Sequence, residues 1–166
     1  MPKVSNILII LAGVIILGLL IFYQPSKLAD SNLVFKTVES SGSVGKGFNS
    51  GHTERKNYVL RNQNDWELIW NQHTLNTGPK PDVPVIDFDK EMVIAVFAGE
   101  FPTGGYNIEI QEIKDSARMV KVRIQEISPS ENCFVSQAFT QPFHIIKLEK
   151  IDKTVDFAIE KITEDC

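Results

Sequence analysis

Hydrophobic positions along this chain fall into three kinds of run, and each predicts a different element. The first is continuous: residues 7–23 read ILIILAGVIILGLLIFY, 17 positions without a charge. As a helix rising ~1.5 Å per residue it spans about 25 Å, the short end of what crosses a bilayer. It is apolar on every face, which suits lipid better than the surface of a globular core. A cleaved signal peptide is the alternative, but its apolar region is usually ~7–15 residues and ends in small residues. Gln24-Pro25-Ser26-Lys27-Leu28-Ala29 offers no convincing small-x-small pair, and Tyr23 sits where an interfacial aromatic belongs. The expected layout is therefore a cytoplasmic stub at 1–6, a transmembrane anchor at 7–23, a tether at 24–32 and an extracytoplasmic domain at 33–166. Lys3 against Lys27 gives a slight preference for this orientation, with secretion after cleavage as the alternative.

The second kind of run has helical spacing. Trp66, Ile69, Trp70 and His73 fall at i, i+3, i+4 and i+7. Asn64 with Glu67 three residues on resembles a capping box, so a helix is expected to start there with Asn64 as N-cap. Gly78-Pro79-Lys80-Pro81-Asp82-Val83-Pro84 then stops it. The two tryptophans are expected to pack against a sheet.

The third kind is short and strand-like. Leu33–Val38, Tyr58–Leu60, Ile108–Ile110, Val120–Ile124, Phe143–Leu148 and Thr154–Ile159 carry β-branched and aromatic residues, several in strict alternation. Met92–Ala98 is an unbroken apolar run of seven, which predicts a strand covered on both faces. Between the strands lie Ser40–Gly51, a glycine- and serine-rich stretch expected as a surface loop, and the tight turn Phe101-Pro102-Thr103-Gly104-Gly105-Tyr106. In that turn both glycines are expected to supply positive φ. The fold class is mainly β, α+β at most: an antiparallel sandwich or open barrel with one packed helix, besides the transmembrane helix.

Charge and composition narrow the function. Beyond residue 30 acidic residues outnumber basic ones 20 to 15, with no lysine or arginine block, so nucleic acid is not an expected partner. The chain has two cysteines, Cys133 and Cys166; in an exported domain they are expected to form one disulfide. His52, His73 and His144 stand in three separate settings, without HExxH, HxH or CxxC spacing, so no metal is expected. Neither a GxSxG elbow nor a phosphate loop is present, and no cofactor or catalytic activity is expected.

Four segments carry a family resemblance. DWELIWNQH at 65–73, IDFDKEMVI at 86–94 and AGEFPTGGY at 98–106, followed by QAFTQPFHIIKL at 137–148, resemble the PrcB C-terminal domain family over roughly 57–150. The resemblance implies a non-catalytic exported domain with a protein partner, holding a protease complex together in the namesake. Separately, Pro102-Thr103-Gly104-Gly105-Tyr106 is similar to the inhibitory loop of chagasin-like peptidase inhibitors, and Thr140-Gln141-Pro142-Phe143 to a later loop of theirs. Phe101 in place of Asn, Gly104 in place of the second Thr and Phe143 in place of Trp depart from that pattern. These ten residues are the candidate binding set. The competing reading is a small-ligand or cell-wall-binding domain using the Trp66/Trp70 face or the acidic residues Asp87, Asp89 and Glu91.

Overall fold

The structure is a computed structural model that describes residues 30–40 and 43–165. The expected anchor at 7–23, the stub before it, most of the tether and Cys166 lie outside the described residues. Among the described residues no helix is long and apolar enough to cross a membrane.

The described residues are mainly β with one helix, arranged as helix, sheet and second sheet. The middle layer is built on strand β7 (Glu91–Phe97), flanked by β6 (Lys56–Leu60) and by β10 (Phe143–Glu149), with β2 (Phe35–Thr37) at the far edge. All neighbours in this sheet run antiparallel. The unbroken apolar run of β7 is explained by its place in the middle. Val93, Ala95 and Phe97 face the helix α1 (Gln63–His73), while Met92, Ile94 and Val96 face the second sheet. All six are fully buried. Each of the five larger side chains contributes roughly 1.5–3 kcal/mol and Ala95 less, whereas an exposed ion pair on the surface contributes ~0–1, so the two apolar faces hold the layers together.

The second sheet has the order β1 (Ser31–Asn32), β8 (Asn107–Asp115), β9 (Met119–Pro129) and β11 (Thr154–Glu164). Ile108, Ile110, Ile113, Val120, Val122 and Ile124 bury its inner face against β7 and β10. Ser31 and Asn32, expected in the tether, already pair with Asp115 and Lys114.

Three expectations are corrected. The sheets are not purely antiparallel: β11 lies parallel to β9 along its whole length, from Thr154↔Met119 to Glu164↔Pro129. Between these strands the chain leaves the second sheet, forms β10 in the first and returns, the long crossover that a parallel pair requires. The helix N-cap is Asn62, not Asn64; its side-chain oxygen accepts the amide hydrogen of Asp65 at 2.9 Å. An earlier asparagine at the same three-residue spacing takes the role.

The described part of the glycine-rich 40–51 segment is also more ordered than a surface loop. Strands β3 (Glu39–Ser40) and β4 (Ser43–Val44) pair with each other, and β5 (Lys46–Gly47) pairs with β10. Its end is pinned to the helix, where Gly51 N donates to His73 O at 2.8 Å. A Cβ on Gly51 would run into the carbonyl of Gln72, so glycine here permits close approach.

Candidate functional site: the Phe101–Tyr106 turn

The turn leaves β7 and enters β8, and neighbouring segments brace its backbone. Phe101 and Thr140 exchange two main-chain hydrogen bonds, 2.8 and 2.9 Å, forming an isolated antiparallel bridge. Thr140 Oγ1 donates to Thr103 O at 2.7 Å, and Gly104 N donates to Ser136 O at 2.9 Å. Gly105 takes φ +88°, which an L side chain rarely adopts. Gly104 does not; it is small because Ser136 Oγ lies 2.5 Å from where its Cβ would be. Only one of the two glycines therefore serves the left-handed conformation.

Inside this frame the Phe101 and Tyr106 rings stack, with centroids 4.0 Å apart and planes 10° from parallel. Both side chains are half-buried. On one side of the stack a hollow of about 200 Å³ is lined by Ala98, Phe101, Tyr106, Ile127, Glu126 and Lys161. On the other side Tyr106 borders a hollow of about 400 Å³ with Phe48, Gly104, Ser136 and Thr140. A third, of about 320 Å³, runs from Gly105 past Phe134 to Glu164 and Asp165. Phe48 and Phe134 are exposed aromatics lining these hollows. The rim carries charge: Glu126 pairs with Arg55 at 2.6 Å and lies 3.9 Å from Lys161.

The second expected set divides. Thr140 reaches the surface beside the turn, but Gln141, Pro142 and Phe143 are buried. Gln141 Nε2 donates to Glu100 Oε2 at 2.6 Å and its Oε1 accepts from Ser50 N at 3.3 Å, so it ties loops together. Phe143 packs 4.3 Å, ring to ring, from His73 in the helix-side core. These three are supports of the turn, and the likeness to a two-loop inhibitor reduces to its first loop.

The aromatic half of the competing ligand site is closed, and two of its acidic residues are ion-paired. Trp66 and Trp70 are fully buried against the middle sheet, and Trp66 Nε1 donates to Pro84 O at 2.9 Å. Asp87 pairs with Lys90 at 2.8 Å and Glu91 with Lys147 at 3.0 Å. Lys90 holds the Asp87 carboxyl below its usual range.

The histidines are interior groups. Ser50 Oγ lies 3.2 Å from His73 Nδ1 and accepts the amide hydrogen of His52, which fixes the 50–52 segment on the helix end. Burial pushes His73 down to about 4, helped by His52, and lowers His52 as well. Among the described residues no group of three or more His, Cys, Asp or Glu could hold a metal. The expected pairing of Cys133 with Cys166 involves a residue outside the described ones.

Sequence reasoning missed Phe48, Phe134, Ile127 and Lys161. Phe48 and Phe134 had a usable signal, since each is a lone aromatic in a polar loop. Ile127 and Lys161 had none, because the β8–β9 register sets Ile127 opposite Asn107 beside the turn and the parallel pairing of β11 with β9 brings Lys161 alongside.

Residues 92–149 match the family model described as PrcB C-terminal. The matched stretch runs from β7 to the end of β10 and includes the whole turn with its bracing segment. No curated protein and no solved structure matches this chain.

Proposed function

We propose that this chain is a non-catalytic protein-interaction domain, held outside the cytoplasm by its apolar segment at 7–23, that steadies or restrains a secreted protease. The PrcB C-terminal match supports association with a protease complex. The single observation that carries the reading is the stacked Phe101–Tyr106 pair at the mouth of adjoining hollows, on a backbone pinned by Ser136 and Thr140. A rigid turn loses little conformational freedom when a partner docks, and half-buried aromatics ringed by other apolar groups are typical anchors of such contacts.

The test is a crosslinking pull-down from intact cells, using full-length protein with its N-terminal segment retained. The parent should recover a protease subunit. Tyr106→Ala should weaken recovery by roughly 30-fold, the equivalent of ~2 kcal/mol, with the melting temperature lowered only a few degrees. Equal recovery by parent and variant would end the assignment of this surface.

A further inference from the structure

Strand β11 ends its sheet, and no strand among the described residues pairs with its other edge. It is 11 residues long and contains no proline, whereas exposed edges are usually kept short or interrupted. The hydrogen-bond pattern shows which groups face outward. Glu164 O accepts from Ser130 N at 3.0 Å and Ile162 O accepts from Ser128 Oγ at 3.3 Å, so these even-numbered carbonyls point toward β9. Backbone alternation then turns the N–H and C=O groups of Phe157, Ile159 and Lys161 to the open edge.

The side chains along this edge are two-faced. Ile159 lies opposite the buried Ile124 on the core side, yet is 43% exposed because nothing flanks it. Two residues on, Lys161 lines the same hollow as Phe101 and Tyr106. The outer row is acidic: Asp156, Glu160 and Glu164, compensated in part by Arg123, 3.5 Å from Glu160, and by Lys121, which stands opposite Asp156 on β9.

We propose that β11 accepts an added strand from a partner protein, an extended segment that alternates apolar and basic residues. Its apolar side covers Ile159 and sends one side chain into the Phe101/Tyr106 hollow. Its basic side runs beside Asp156, Glu160 and Glu164. Main-chain hydrogen bonds supply the general affinity of strand addition, and the hollow and acidic row supply selectivity. A second copy of this chain fits less well, because it would bring another acidic row alongside the first. The proposal rests on the reading of this molecule as an interaction domain and specifies how the partner is gripped.

Amide hydrogen exchange on the full-length protein tests it, with synthetic peptides of about ten residues that alternate valine with lysine or valine with glutamate. The valine–lysine peptide should slow exchange at Phe157, Ile159 and Lys161 by tenfold or more, and the valine–glutamate peptide should not. Ile159→Lys, a charge placed on the edge, should weaken this protection at least tenfold. The double variant Glu160→Lys, Glu164→Lys leaves the core untouched and should reverse the preference between the peptides. Absence of protection with either peptide, or protection indifferent to the charge reversal, overturns the proposal. So does protection that appears without peptide and grows with protein concentration, which would mean self-pairing. If β11 stays unprotected while capture of a protease still depends on Tyr106, strand addition fails and the interaction reading survives. If β11 is protected by peptide while capture ignores Tyr106, the reverse holds.

Discussion

His144 on β10 accepts the main-chain hydrogen of Ile110 on β8, with Nδ1 3.0 Å from the amide nitrogen. This side chain crosses between the two sheets in a row otherwise filled by Ile146 and Leu148. The bond requires Nδ1 to be unprotonated, so the ring hydrogen sits on Nε2 and is directed at Thr37 Oγ1, 3.1 Å away. The β8–β9 register shifts between Ile110 and Glu112, next to the residue whose amide is diverted to His144. One imidazole thus joins β10, β2 and β8.

Acid should therefore loosen the domain. Burial, with a smaller contribution from Lys46 and opposition from Glu109, pushes His144 down to about 4, and His73 is also near 4. As pH falls, the unfolded chain takes up protons near 6.5, before the folded one does. Stability is thus full above about 6.5 and is lost as pH drops toward 4, at ~1.4 kcal/mol per unit per histidine, or roughly 3 kcal/mol each. Urea midpoints measured between pH 7.5 and 4.5 should fall steeply. His144→Phe should flatten part of that slope while costing ~1–3 kcal/mol at pH 7.5, because Ile110 N–H loses its acceptor. A midpoint constant over this range would refute the assignment of the neutral tautomer.

The two glycines of the turn should behave differently. At Gly105 an added Cβ meets both the φ of +88° and the side chains of Pro129 and Val135 at 2.9 Å. Gly105→Ala should cost ~1–2 kcal/mol, and truncating a neighbour should not restore it. Gly104→Ala meets mainly Ser136 Oγ, the end of a small exposed side chain. Adding Ser136→Ala should recover most of its loss. Thermal melts of the four variants decide the matter, and a rescue of Gly105→Ala by changes at Ser136 would reverse the assignment.

How much of this was legible beforehand depended on how local the cause was. The strand at Met92–Ala98 announced itself because seven apolar residues in a row can only be covered on both faces. The helix face of Trp66, Ile69, Trp70 and His73 was equally plain, since its periodicity is set within two turns. The N-cap was misplaced because Asn62 and Asn64 offer nearly the same local signal. The parallel placement of β11 could not be read at all: Val155, Phe157 and Ile159 alternate identically for either direction. Gln141, Pro142 and Phe143 looked like a loop motif, but their burial follows from the β10–β7 pairing, Phe143 opposite Phe97. The turn at Phe101 was visible as a turn; its aromatic stack and the hollows beside it depend on distant segments.

Cys133 Sγ lies 3.4 Å from Ser130 Oγ and 3.7 Å from the carbonyl oxygen of Glu164, whose oxygen also accepts from Ser130 N. The end of β11 is therefore held against the 130–135 loop, two positions short of Cys166. A disulfide needs Cα atoms about 4.4–6.8 Å apart, a distance within reach of that spacing. We expect Cys133 and Cys166 to be joined in exported protein. Closing a loop of ~34 residues would then contribute about 3–4 kcal/mol in the chain-entropy model. Alkylation followed by intact-mass measurement should label both thiols only after reduction, and reduction should lower the melting temperature. It should also speed amide exchange at the C-terminal end of β11, because the hollow lined by Phe134, Glu164 and Asp165 would lose its covalent tie. Two alkylated thiols in unreduced surface material would show instead that backbone pairing with β9 alone holds this strand end in place.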